Sequence, residues 1–93
     1  MWIYYFPSID LMKEYRFDKM RKYRLDFAHP STRIGIEING GIWKKGGHSS
    51  GSGLTRDYKK INLLSSLNWR VFLLSSEMIT IENLELIART INA

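Results

Sequence analysis

Two segments of the chain alternate apolar with polar residues at a period of two, the pattern of a β-strand with one buried face. The first is Arg21–Phe27, in which three apolar residues alternate with charged ones. The second is Arg33–Asn39, in which three isoleucines alternate with glycine, glutamate and asparagine. Between them, His29–Thr32 contains a proline and predicts a turn. The pattern therefore predicts a β-hairpin.

The remaining segments predict three helices, one further strand and a loop. The predicted helices are Ile9–Tyr15, capped by Ser8, then Thr55–Leu67, whose apolar residues have helical spacing, and Glu82–Ile91. The continuous apolar run Trp69–Leu74 has the length of a strand, and Gly40–Gly53 holds six of the seven glycines, which indicates a loop. The order α-β-β-α-β-α favours a right-handed crossover that lays the third strand parallel to a neighbour. We expect one mixed α/β (α+β) domain over residues 1–93, with a mixed central sheet flanked by helices.

Asp26 and Glu37 occupy the polar faces of the two hairpin strands. If the isoleucine face packs on the Thr55–Leu67 helix, both acids point away from that helix and share one face. Two neighbouring carboxylates need a proton or a cation between them, and Mg²⁺ prefers such oxygen ligands while leaving room for a phosphate. Each acid taken alone is typical of a solvent-facing strand position. The pair, beside Gly35 and Gly40, makes phosphodiester cleavage the leading hypothesis.

Charge and composition agree with a polyanionic partner. The net charge is +5, and six of the fourteen lysine and arginine residues lie in Lys13–Arg24, interleaved with aromatic residues. Such a cluster suits phosphate binding, although a solvated surface is the common alternative. The absence of cysteine excludes disulfides and thiolate metal sites. No run reaches the length of a membrane span, so we expect a soluble, cytoplasmic protein without a membrane partner.

These acids, with the stretches around them, resemble the PD-(D/E)XK nuclease superfamily. The likeness is greatest to small phage and bacterial endonucleases related to very-short-patch repair enzymes, and it runs in order across residues 14–74. Members place an Asp on one strand and Glu-x-Lys on the next, within an α-β-β-β-α-β core. The matching stretches are 14–17, 21–28, 37–43, His48, 57–62 and 68–71. The resemblance implies a restriction-endonuclease-like core.

The resemblance also implies roles for single residues. Asp26 and Glu37 would ligate Mg²⁺, for which Mn²⁺ is expected to substitute, and the backbone carbonyl of Ile38 would complete the site. Glu14 matches an additional acid that many members bring from the first helix; a surface carboxylate is the alternative. His48 matches a histidine that orients the attacking water or contacts the scissile phosphate, although a lone loop histidine is more often solvated.

The chain departs from the superfamily pattern at Asn39, which stands where Glu-x-Lys has its lysine. Asparagine positions a water but supplies no charge. A lysine from a neighbouring helix fills this role in some relatives. Lys60 is the first candidate here and Lys59 the second, with Lys44 and Lys45 as loop alternatives.

The expected partner is DNA, and a homodimer is possible through the Trp69–Leu74 strand and the last helix, which equally suit an ordinary core. Five cations are expected to contact the nucleic-acid backbone: Arg16, Lys22, Arg24, Arg56 and Lys59. Two alternatives remain open from the sequence. One is a catalytically inactive nucleic-acid-binding module of the same fold, and the other is a small structural phage or host-interaction protein.

Overall fold

The computed structural model describes residues 2–21, 23–38 and 51–93, and within these it is a mixed α+β domain. Its helices and strands are, in chain order, α1 (Trp2–Tyr5), β1 (Met12–Asp18), β2 (Tyr23–His29), β3 (Ile34–Ile38), α2 (Gly51–Ser66), β4 (Arg70–Leu74) and α3 (Ile81–Asn92). Short 3-10 turns cover Pro30–Thr32 and Ser76–Met78. None of the helices among these residues combines the length and the apolar character needed to cross a bilayer.

The four strands form one sheet in the order β1-β2-β3-β4. The first two neighbouring pairs are antiparallel, and β3 pairs with β4 in parallel. The β3 and β4 strands are joined through α2, so the prediction that the strand after the long helix runs parallel to a neighbour is confirmed. The predicted hairpin is present as β2 and β3, and the mixed sheet flanked by helices is confirmed at that level.

The predicted helix over Ile9–Tyr15 is wrong, because most of that segment belongs to β1. Tyr15 and Phe17, two positions apart, both pack against the buried cluster that contains Leu25. This is the alternation of a strand, and aromatic residues favour strands because they pack well on a pleated surface. The element order is therefore α-β-β-β-α-β-α, with one strand more than expected.

The sheet separates two unequal hydrophobic clusters. The larger lies on the α3 side, where eight buried residues pack together: Ile9, Ile34, Ile36, Leu74, Leu84, Ile87, Ala88 and Ile91. The smaller lies on the α2 side and contains the buried residues Leu25, Ala28 and Leu64. The isoleucines of β3 thus face α3 and not the long helix, so the condition under which both acids would point away from the long helix is not met. Alternation then turns Glu37 toward α2.

β2 interrupts its own alternation beside Asp26. Leu25 and Ala28 are three positions apart, yet both belong to the α2-side cluster, whereas Phe27 packs against the α3-side cluster. The expectation that Leu25 and Phe27 share a face is therefore wrong. Gly35 accommodates Leu25 here, because a Cβ on Gly35 would lie 2.6 Å from Leu25 Cδ1.

The closing helix α3 agrees with its prediction. The side chain of Thr80 accepts a hydrogen bond from the backbone N–H of Asn83 and so caps the helix. In this helix, which was one of the two elements suggested for a dimer surface, Leu84, Ile87 and Ile91 are buried core and Leu86 is exposed. The homodimer stays a prediction.

Candidate active site

Asp26 lies where β2 and β3 part. The register of the two strands runs from His29 opposite Ile34 to Phe27 opposite Ile36. One position beyond, Asp26 Oδ2 accepts a hydrogen bond from the backbone N–H of Ile38 at 2.7 Å. A side-chain oxygen therefore satisfies a partly buried backbone donor of β3 and fixes the Asp26 carboxylate beside Glu37.

Glu37 forms an ion pair with Lys60 of α2, whose Nζ donates a hydrogen bond to Glu37 Oε1. The Glu37 side chain is 12% exposed and that of Lys60 is 25% exposed, so both charges are largely withdrawn from water. Each charge of this ion pair depends on the other, because either charge alone would be poorly solvated.

The pKa of Glu37 is raised above its ordinary value of 4.5, chiefly because burial penalises the charged carboxylate. The hydrogen bond and charge of Lys60 act in the opposite direction, lowering the pKa. The charge of Asp26 and a hydrogen bond with its side chain raise the pKa further. The structure therefore brings the carboxylates of Asp26 and Glu37 close enough to influence each other.

The inward face of α2 explains how Lys60 reaches the sheet. Apolar spacing predicted a buried stripe that included Tyr58 and Ile61, but these side chains are 52% and 43% exposed. The face turned to the sheet instead carries Asp57, Lys60 and Leu64, which are spaced three and four residues apart and are buried or half-buried. Lys60, the first candidate for the missing lysine, thus meets Glu37.

Asp57 was not singled out from the sequence as a site residue. It is half-buried on the inward face of α2, one helical turn before Lys60. The spacing of Asp57, Lys60 and Leu64 by three and four residues indicates that they share one face of α2. The apolar residues Tyr58 and Ile61 have a similar spacing and favoured a different face as the buried one.

The donor set of the site suits a hard divalent cation. Asp26 and Glu37 offer carboxylate oxygens on neighbouring strands, and Asp26 raises the pKa of Glu37, so a cation between them would relieve their repulsion. Mg²⁺ is commonly held by one or two carboxylates together with substrate phosphates. Within the described ranges no three His, Cys, Asp or Glu side chains group together as metal ligands. The protein ligands fit Mg²⁺ only if water and phosphate complete the shell.

Glu14 lies elsewhere than expected. It belongs to β1 and not to a helix, has a backbone φ of 46°, and its Oε1 accepts a hydrogen bond from Arg24 Nη1 at 3.0 Å. Both side chains are well exposed. The structure therefore brings Glu14 to Arg24 and does not group it with the two acids of the site.

The cations predicted to contact the nucleic-acid backbone lie in two parts of the structure. Arg16 and Arg24 are exposed and directly opposite each other on β1 and β2. Arg56 and Lys59 are exposed on α2. Five predicted or alternative site residues lie outside the described residues: Lys22, Asn39, Lys44, Lys45 and His48.

Comparison of the sequence with protein-family models and with curated proteins, and of the structure with solved structures, finds no significant match.

Proposed function

We propose that this chain is a metal-dependent endonuclease that hydrolyses DNA phosphodiester bonds. The observation that carries the proposal is the meeting of Asp26, Glu37 and Lys60, which come from three different elements. Two carboxylates and one ammonium in a half-buried site are the groups that metal-assisted phosphoryl chemistry uses.

The order of elements also supports the proposal. The chain runs α1-β1-β2-β3-α2-β4 before its last helix, and the superfamily that the sequence resembles has an α-β-β-β-α-β core. Asp26 lies on the second strand of this series and Glu37 on the third, as in the Asp and Glu-x-Lys arrangement. Lys60 comes from the following helix, where a lysine would replace the one missing at Asn39.

In the proposed mechanism Asp26 and Glu37 would hold Mg²⁺, with the Ile38 carbonyl as a further ligand. When bound, the ion polarises the phosphate and lowers the pKa of its water. Asp26 is kept in place by the Ile38 N–H, so its carboxylate needs little reorganisation. Lys60 offsets the negative charge of Glu37 in the free protein. Next to a bound phosphate, its ammonium would stabilise the charge that develops on the phosphate oxygens.

One observation favours a second candidate, a catalytically inactive nucleic-acid-binding module of the same fold. Lys60 already neutralises Glu37, so the site has a stable arrangement without a cation. The exposed cations Arg16 and Lys59 would serve binding equally well in such a module. This candidate predicts salt-sensitive DNA binding with no cleavage of any substrate.

The experiment that separates the two candidates is incubation with plasmid, branched and single-stranded DNA, with and without Mg²⁺ or Mn²⁺. The nuclease proposal predicts metal-dependent cleavage by the natural chain and its loss in Glu37→Gln, with DNA binding kept. Glu85→Gln, an exposed acid of α3, is the matched control and should cleave normally. Full cleavage by Glu37→Gln would remove Glu37 from the mechanism, and the absence of cleavage by the natural chain would favour the inactive module.

A further inference from the structure

The β1–β2 hairpin extends beyond the rest of the sheet. The register of β2 with β3 covers only positions 27–29, whereas that of β1 with β2 continues to Asp18 opposite Tyr23. Positions 14–18 and 23–26 therefore form a two-stranded ribbon, here called the β-ribbon, with a turn at 19–21 at its end. The three steps from Asp26 to Tyr23 span about 10 Å at 3.3 Å per residue. Asp26 lies at the base of the β-ribbon.

The β-ribbon places like charges together. Arg16 and Arg24 are direct cross-strand partners, and both are exposed. Like charges directly opposite each other destabilise a sheet, and Glu14 relieves only part of this through its ion pair with Arg24. Lys19 adds a further exposed cation at the turn. An anion bound along the β-ribbon would remove the remaining repulsion.

The turn of the β-ribbon is shaped by its own hydrogen bonds and ends in an apolar side chain. Asp18 Oδ1 accepts a hydrogen bond from the backbone N–H of Met20 at 3.1 Å, and Asp18 Oδ2 is ion-paired with Arg21 at 3.0 Å. Met20 is 91% exposed, more than any other large hydrophobic side chain among the described residues. The end of the β-ribbon therefore projects a methionine with basic neighbours on both sides.

We propose that the β-ribbon enters the major groove of duplex DNA, with Met20 reaching the base edges. The major groove is roughly 12 Å wide and admits a two-stranded ribbon without distortion, whereas the minor groove, roughly 6 Å wide, takes one only when the duplex is bent or widened. The strand beyond the buried Leu25 is about 7 Å long, and together with the turn it matches the major-groove depth of about 8.5 Å, so the turn reaches the base edges. The cations of the β-ribbon face the phosphates on either side.

This docking also accounts for the position of the site, and it rests on the proposed nuclease function. When the end of the β-ribbon meets the floor of the groove, a phosphate at the rim lies about two to three residues back along the strand. Counted from Tyr23, that position is at Leu25 or Asp26. The β2 strand would thus contact the duplex and also bring the DNA backbone beside the carboxylates of Asp26 and Glu37.

The test is fluorescence-anisotropy binding of the full chain to a labelled DNA duplex, in chelator so that no cleavage occurs. Arg16→Glu and Lys19→Glu should each weaken duplex binding at least tenfold, while Arg89→Glu, on α3, should change it less than twofold. Arg16→Ala should also reduce the slope of log affinity against log salt by about one unit, the loss of one phosphate contact. A single strand of the same sequence and an RNA duplex, whose deep major groove is too narrow for the β-ribbon, should bind at least tenfold more weakly than the DNA duplex.

Dimethyl sulfate footprinting locates the groove, because the reagent methylates guanine N7 in the major groove and adenine N3 in the minor groove. The proposal predicts protection of guanine N7, reduced in Met20→Ala and unchanged in Met78→Ala. Protection of adenine N3 alone, equal binding of the single strand or the RNA duplex, or normal affinity in both glutamate variants would overturn the docking. Failure of the nuclease function shows separately, as a chain that protects guanine N7 but cleaves nothing with Mg²⁺.

Discussion

The two faces of the sheet differ in what they bury. Among the described residues, the α3 face packs eight buried residues into one cluster, whereas the α2 face packs three beside the largely buried pair of Glu37 and Lys60. The α3 side of the sheet is therefore mainly responsible for stability. The α2 side, with fewer apolar contacts, tolerates charged groups that cost free energy to bury. The candidate site lies on the face with the smaller described cluster.

The largest expected effect is on stability, and it compares one substitution in each of the two hydrophobic clusters. Ile87→Ala removes a fully buried side chain from the α3-side cluster and should lower the free energy of unfolding by about 2–5 kcal/mol. Leu64→Ala, in the smaller cluster, should fall at the lower end of that range because partly buried neighbours can relax into the space. Urea denaturation measures both variants, and a larger loss for Leu64→Ala would reverse the assignment of the two faces.

The next effect concerns activity and uses two adjacent lysines. Lys60→Met removes the ammonium that contacts Glu37 and should reduce cleavage by roughly 10²–10³-fold, the usual cost of losing one group that stabilises transition-state charge. Lys59→Met removes an exposed lysine of the same helix and should weaken DNA binding about threefold while leaving the rate at saturating enzyme unchanged. Single-turnover rates at saturating enzyme distinguish the two, and equal rates would exclude a special role for Lys60.

Gly35 tests how tightly the α2 face is packed under the site. Gly35→Ala would bring a methyl group to 2.6 Å from Leu25, which is fully buried, and should cost about 1–3 kcal/mol as overpacking does. Leu25→Val in the same chain should recover part of that loss by making room. Thermal unfolding of the single and double variants gives the answer. A neutral Gly35→Ala would mean that Leu25 has space to move.

The sequence contained enough to find the paired acids but not the face on which they meet. The alternation in β3 placed Glu37 correctly opposite the isoleucines. It could not say which helix covers which side, because α2 and α3 both carry apolar residues at helical spacing. The strand β1 was missed because its turn at Lys19–Arg21 has no glycine or proline to mark a hairpin. The break of alternation between Leu25 and Ala28 depends on tertiary packing that no local pattern records.

The smallest effect is a pH dependence of stability in the metal-free protein. The folded protein raises the pKa of Glu37, so it holds that proton over a range in which the unfolded chain has released it. The contribution of Glu37 is therefore complete below its ordinary pKa of 4.5 and is lost as pH rises through the raised value. In chelator, the free energy of unfolding of the natural chain minus that of Glu37→Gln should fall with pH over this window. A difference that rises with pH would contradict the raised pKa of Glu37.

The central claim is that Asp26 and Glu37 converge to hold a divalent cation. An anomalous difference map from a crystal soaked in Mn²⁺ tests this most directly. The account predicts a peak within coordination distance of both carboxylates, absent from an equally soaked Glu37→Gln crystal. Carboxylates that face apart in the soaked crystal, with no peak between them, would contradict it.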